Sequence, residues 1–185
     1  MQSEKIPDGY INRSERKEKF QKFLKETYGS TEIVENISND QIFLNKEIVK
    51  ALDLDLDDVQ EEIANEQLSY DNVYKVYTAT TMSTTDFKSG IEHLLQMGYN
   101  QKRSGDVLLI NDPAFISWSG RTGTTHGSGL NYDTHVPLLF FGKGIKHGET
   151  LKRTEITDIA PTISVLLGIS FPNGAIGQPL EMVLD

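Results

Sequence analysis

The chain contains no cysteine among its 185 residues, so it has neither a disulfide framework nor a thiolate metal site. Any metal it binds must be held by imidazole and carboxylate groups. Histidine is scarce as well, with four in all, so each one can be weighed separately. Long hydrophobic runs are also missing. The longest, "VPLLFF" at 136–141 and "ISVLLGI" at 163–169, fall far short of the roughly 18 apolar residues that a membrane span requires. The opening residues "MQSEKIPDG" lack the basic and apolar regions of a signal peptide. Positive charge is in deficit: 18 Lys and Arg stand against 27 Asp and Glu, a formal net charge of −9. Such a field repels polyanions, so extended binding to a nucleic acid backbone is disfavoured. A small phosphorylated substrate held through a metal ion stays compatible with that charge. No internal repeat or low-complexity tract occurs, and the length suits one compact domain with a real core.

Helical and strand patterns alternate along the chain. "NRSERKEKFQKFLKETYG" spaces Phe20, Phe23, Leu24 and Tyr28 as one face of a helix, with Asn12 and Glu15 as a cap pair and Gly29 beyond its end. "EIVENISNDQIFLN" reads as a hairpin about Asn39 and Asp40. "NKEIVKAL" and "LDDVQEEIANEQLS" carry helical spacing, and "NVYKVYTA" is β-branched and aromatic enough for a strand. A helix is expected over residues 85–97, where Phe87, Ile91, Leu94 and Leu95 share a face. Strands are expected at "GDVLLIN" and "AFISW", on either side of Pro113. The strand "VPLLFF" and the helix "DIAPTISVLLG" complete the order. Continuous apolar runs at "VLLI" and "VPLLFF" suit central strands covered on both faces. The expected class is therefore α/β, a layered sandwich with a mixed, largely parallel central sheet. Residues 12–104 form a part rich in helices and hairpins, and residues 105–185 hold the core strands, a Gly-rich loop and the C-terminal helix.

That loop, within "RTGTTHGSGLNYDTHVPLLFFG" at 121–142, combines glycines, hydroxyls, one Asp and two His before a run read as a buried strand. Loops of about a dozen residues in compact domains are more often functional than idle. Glycines allow tight turns, and Thr124, Thr125 and Ser128 can bond the chain that presents His126. A lone His in such a loop is commonly an exposed or satisfied side chain, and alternatively a metal ligand. Asp133 and His135 stand two apart at the entry to the expected strand, so a carboxylate receiving an imidazole N–H is one reading and a simple pin between loop and strand the other. His93 and His147 have the settings of ordinary surface residues and receive no role.

"GTTHGSGLNYDTHVPLLFFGKGI" followed by "TEITDIAPTISVLLGISFPNGAIGQPL" resembles the C-terminal part of the alkaline phosphatase superfamily, with most similarity to its bacterial phosphodiesterase and nucleotide pyrophosphatase branch. "SNDQIFLNKEIVKALDLDLDDVQEEIANEQL" and "VYKVYTATTM" resemble the segment that follows the metal-binding Asp-His-Gly motif in that branch, so the resemblance covers nearly the whole chain. It implies an incomplete alkaline phosphatase-like fold and makes His126, in Thr-His-Gly, a zinc ligand. It implies no settled role for His135.

In such enzymes two zinc ions clamp a phosphoryl group, and a Thr or Ser hydroxyl attacks it to form a covalent phosphoryl-enzyme. The family's other ligands are an Asp near the N-terminus, the nucleophile, and two further Asp and His pairs. None of those motifs occurs in these residues, so no catalytic residue is assigned and His126 is the one metal ligand carried over. Catalytic zinc needs about three protein ligands, and the chain alone is expected to be inactive and to hold little or no zinc. The expectation is a C-terminal portion of a zinc-dependent phosphatase acting on phosphate monoesters, its parent periplasmic or secreted. Two alternatives stand beside it. One is a phosphodiesterase or sulfatase-like relative. The other is a non-catalytic binding domain that keeps the fold and offers the helix at residues 13–28 as a docking surface.

Overall fold

A computed structural model describes residues 8–117 and 126–184. They fall into two compact units, Met1–His135 and Val136–Asp185. The first unit runs β1 (Gly9–Tyr10), α1 (Arg13–Tyr28), β2 (Val34–Ser38), β3 (Gln41–Leu44), α2 (Lys46–Ala51), α3 (Leu56–Leu68), β4 (Val73–Thr78), α4 (Ala79–Thr84), α5 (Gly90–Gly98), β5 (Val107–Asn111), β6 (Phe115–Ile116) and α6 (Asn131–Thr134). The second unit contains α7 (Ile159–Leu167), flanked by 3₁₀ turns at Ile156–Asp158 and Glu181–Val183.

Local chemistry sets the ends of α1 as the sequence implies. The Asn12 side chain accepts the Glu15 amide at 3.2 Å, satisfying one N–H that the helix cannot pair internally. At the other end Gly29 takes φ 73° and its amide donates to Lys25 O. β2 and β3 form the expected hairpin. Asn39 and Asp40 have φ of 52° and 55°, the left-handed pair of a two-residue turn whose twist matches its strands, and this fixes Ile37 opposite Ile42.

The sheet order is β2-β3-β5-β4, and every neighbouring pair in it is antiparallel. Parallel pairing among the described residues is confined to β1 and β6. The α/β class and the mixed pairing stand, but the largely parallel sheet is not what these strands build. Hairpin connection forces β3 to run against β2, and β5 then meets both β3 and β4 from the opposite direction. As expected, β5 is the central strand: Val107, Leu108, Leu109 and Ile110 are all buried, which requires cover on both faces. Over one face lie Phe20 and Leu24 of α1, Val49 of α2, and Val59, Ile63 and Ala64 of α3, packed on Ile42, Leu44, Val107 and Leu109. The apolar stripe of α1 is thus consumed by the core. It is not a free docking surface.

Asp106 ties this core to the chain ends around it. Its buried carboxylate accepts the Leu44 amide at 2.8 Å and lies 3.2 Å from Lys46 Nζ, while its own amide donates to Ile42 O and its carbonyl accepts from Ala79. Gly105 precedes it because a Cβ there would stand 2.8 Å from both Gln41 Cβ and Ile42 O.

Three expectations change. The helix expected at 85–97 begins at Gly90, and a separate short helix, α4, forms at Ala79–Thr84 with the Thr78 hydroxyl capping the Thr81 amide at 3.1 Å. "AFISW" contributes only the two-residue β6, and its Trp118 lies outside the described residues. The largest difference is "VPLLFF", which forms no strand: Leu139 is 87 % exposed and Phe141 is fully exposed. A strand exists only where a neighbour takes up its N–H and C=O groups, and among the described residues no strand pairs with 136–141.

In the second unit the "DIAPT" residues serve the fold. Asp158 accepts the Glu155 and Gln178 amides, both at 2.9 Å, and these bonds hold its carboxyl below the ordinary range. Thr162, wholly buried, donates to Asp158 O and accepts the Leu180 amide at 2.9 Å. Segment 178–180 is thereby stapled to α7.

Candidate functional site

Residues 126–135 form a short turn closed by its own side chains. Asp133 Oδ2 accepts two hydrogen bonds from one residue, Ser128 N at 3.0 Å and Ser128 Oγ at 2.6 Å. Those bonds, the hydroxyl's first, hold the Asp133 carboxyl below the usual range, and the nearby His126 acts in the same direction. α6 fixes Asp133 in turn, through amides of Asp133 and Thr134 donating to Leu130 O at 2.9 and 3.0 Å and His135 N to Asn131 O at 2.8 Å. The Tyr132 hydroxyl accepts the Ala114 amide at 3.4 Å.

The turn rests on α5. A Cβ at Gly129 would stand 2.9 Å from Ile91 Cγ1 and 3.8 Å from Leu94 Cδ1, so glycine permits a close approach of backbone to that apolar face. α5 is fastened to β4 by Glu92, whose Oε1 accepts from Lys75 Nζ and, at 2.7 Å, from Tyr77 Oη. Tyr77 also meets the Phe87 ring edge-on at 5.8 Å. The bond from Lys75, then that from Tyr77, lowers the Glu92 pKa to about 2, whereas burial first and Glu92 second push Tyr77 up to about 12. With its folded pKa depressed, Glu92 contributes stability that is full above its ordinary value of about 4.5 and is lost as pH falls through about 2. Urea unfolding between those pH values should therefore show a steeper loss of stability for the native chain than for Glu92→Gln. Equal slopes would exclude the contact as a source of acid sensitivity.

His126 lies exposed two residues before Ser128. The carboxylate–imidazole contact, one of the two readings of Asp133 and His135, is not the bond that Asp133 makes here. Both sit at a one-turn helix instead of a strand entry, and the carboxylate is turned to Ser128. His135 and His147 are exposed, and His93 places Nδ1 2.8 Å from Phe87 O, a bond that holds the segment ahead of α5. What the sequence concealed is the Ser128–Asp133 closure: its five-residue spacing has no signal until α6 turns the chain back. Thr124 and Thr125 lie outside the described residues.

Among the described residues no group of three or more His, Asp or Glu is placed to hold a metal ion. His126 is exposed, and Asp133 Oδ2 accepts two hydrogen bonds from Ser128. This donor set suits one position of a coordination sphere shared with other residues and does not by itself make a complete site.

Sequence and fold together place the chain in the alkaline phosphatase superfamily. Alkaline phosphatase PafA of Elizabethkingia meningoseptica is 36 % identical over 184 residues, covering 100 % of this chain and 34 % of the relative. A calcium-transporting ATPase of Myroides odoratus is 35 % identical over 178 residues, covering 96 % and 32 %. Alkaline phosphatase PhoV of Synechococcus elongatus is 32 % identical over 148 residues, covering 80 % and 27 %. The crystal structure of wild-type PafA superposes with a TM-score of 0.88 at 35 % identity, covering 100 % of this chain and 35 % of that one. No family model matches. The chain spans about a third of the length of the curated relatives it matches.

Proposed function

We propose that the chain is the C-terminal portion of a zinc-dependent phosphatase that hydrolyses phosphate monoesters, with His126 supplying one zinc ligand. The observation that carries this reading is an accessible imidazole two residues from a turn closed by Asp133, in a chain that aligns along its whole length with PafA. When bound, zinc supplies the positive charge that activates a hydroxyl nucleophile and stabilises the leaving oxygen. The Thr or Ser nucleophile that would carry the phosphoryl group, and the remaining ligands, belong to the rest of the enzyme. This chain's share is to present the imidazole, to hold the turn beneath it, and to contribute β-sheet and helical cover. The parent enzyme works in the periplasm or outside the cell, where phosphate esters are met before uptake.

The name of the Myroides relative raises a second reading, hydrolysis of the phosphoanhydride of ATP. Both reactions place attack at phosphorus, and a substrate panel separates them. The isolated 185 residues should carry negligible zinc by elemental analysis and hydrolyse neither a chromogenic phosphate monoester nor ATP. Stoichiometric tight zinc with turnover would refute the portion reading. In the complete enzyme, monoester hydrolysis far faster than ATP hydrolysis is expected, and the reverse preference would favour the second reading.

A further inference from the structure

We propose that Asp133 is a positioning residue for the zinc ligand: by accepting both the amide and the hydroxyl hydrogen of Ser128, it closes residues 128–133 into a mount that holds His126 ready for the ion. The proposal rests on the phosphatase reading of His126 given above.

Three features of the turn support it. First, the closure is strong for its size, because both bonds end on one ionised oxygen and hydrogen bonds to a charged acceptor are about twice as strong as neutral ones. Second, the mount is fixed to something. Asp133 sits in α6, and Gly129 is seated on Ile91 and Leu94 of α5, itself tied to β4 by Glu92. Third, the link from mount to ligand is short. Only Gly127, with φ 125°, separates His126 from Ser128. A ligand held near its bound position loses less conformational entropy when the ion arrives, and partners behind a metal-binding His commonly alter affinity by about 10–100-fold. Asp133 acts through the backbone amide and hydroxyl of Ser128.

The test uses Asp133→Ala, Asp133→Asn and Ser128→Ala. In the 185-residue chain, Asp133→Ala and Ser128→Ala should each speed amide hydrogen exchange at residues 128 and 130, whose amides donate to Asp133 Oδ2 and Ser128 Oγ, by about 10-fold or more. The double variant should add little to Asp133→Ala, which already removes both bonds, whereas Ser128→Ala alone removes the hydroxyl's bond and leaves the amide's. Asp133→Asn, which keeps an acceptor oxygen, should recover part of the protection. In the complete phosphatase, Asp133→Ala and Ser128→Ala should raise the zinc concentration for half-maximal loading by about 10–100-fold. KM for the ester at saturating zinc should stay unchanged. Native exchange rates in both single variants would overturn the closure. Faster exchange with native zinc loading would overturn its role at the ligand, provided His126→Ala does lose zinc. If His126→Ala also loads zinc normally, the ligand reading itself has failed and the positioning role falls with it. Ser128→Ala leaves the carboxylate and the amide bond to it in place, so the test survives if Asp133→Ala folds poorly.

Discussion

In the complete phosphatase, replacing His126, the proposed zinc ligand, by alanine should lower turnover by roughly two orders of magnitude or more, because on that reading a catalytic zinc with about three protein ligands loses one of them. The loss should be largest at limiting zinc and partly reversed by excess zinc, since the variant weakens binding of the ion without removing the nucleophile. Steady-state kinetics with a chromogenic monoester across a zinc titration would measure both effects. Unchanged activity would take His126 out of the coordination sphere. The Ser128–Asp133 closure and the seat of Gly129 on α5 do not involve the imidazole, so the backbone should hold its course in the variant.

The largest effect on folding should come from Ile63→Ala. Ile63 is wholly buried on α3 within the cluster that includes Phe20, Leu24, Ile42 and Val107. Truncation removes apolar contact and leaves a cavity that helices and sheet can only partly close, costing about 2–5 kcal/mol. That is a large fraction of the ~5–15 kcal/mol by which a domain is normally stable. Denaturant unfolding should show the midpoint falling with an unchanged slope. A loss below about 1 kcal/mol would mean that the α1–α3 layer is not the structural centre of the first unit.

Much of the fold was legible because its signals are local. Asn12 and Gly29 bound α1 as their chemistry requires, Asn39 and Asp40 turn the hairpin, and "VLLI" becomes the fully covered β5. Other elements depended on distant partners. α4 was hidden by threonines whose β-branched pattern suits a strand as well as a helix, and the Thr78 cap tips the balance. At the candidate site, Thr-His-Gly marked His126, yet nothing in the spacing of Ser128 and Asp133 announced that they close on one another. The "DIAPT" residues carried a family resemblance, and the side chains of Asp158 and Thr162 staple the chain.

The sequence by itself determined which residues want to be buried, where helices and turns begin, and that metal chemistry here must come from imidazole and carboxylate. Those properties belong to single side chains and their near neighbours. Tertiary structure alone decided strand direction, the partner of Asp133, and the fate of "VPLLFF". A backbone hydrogen bond between strands, or a carboxylate meeting a serine after a turn of helix, exists only once separate segments share a place in space. Residues 136–141 carry the composition of a central strand, but a strand is a relation between neighbours, and no neighbour among the described residues takes up their backbone groups.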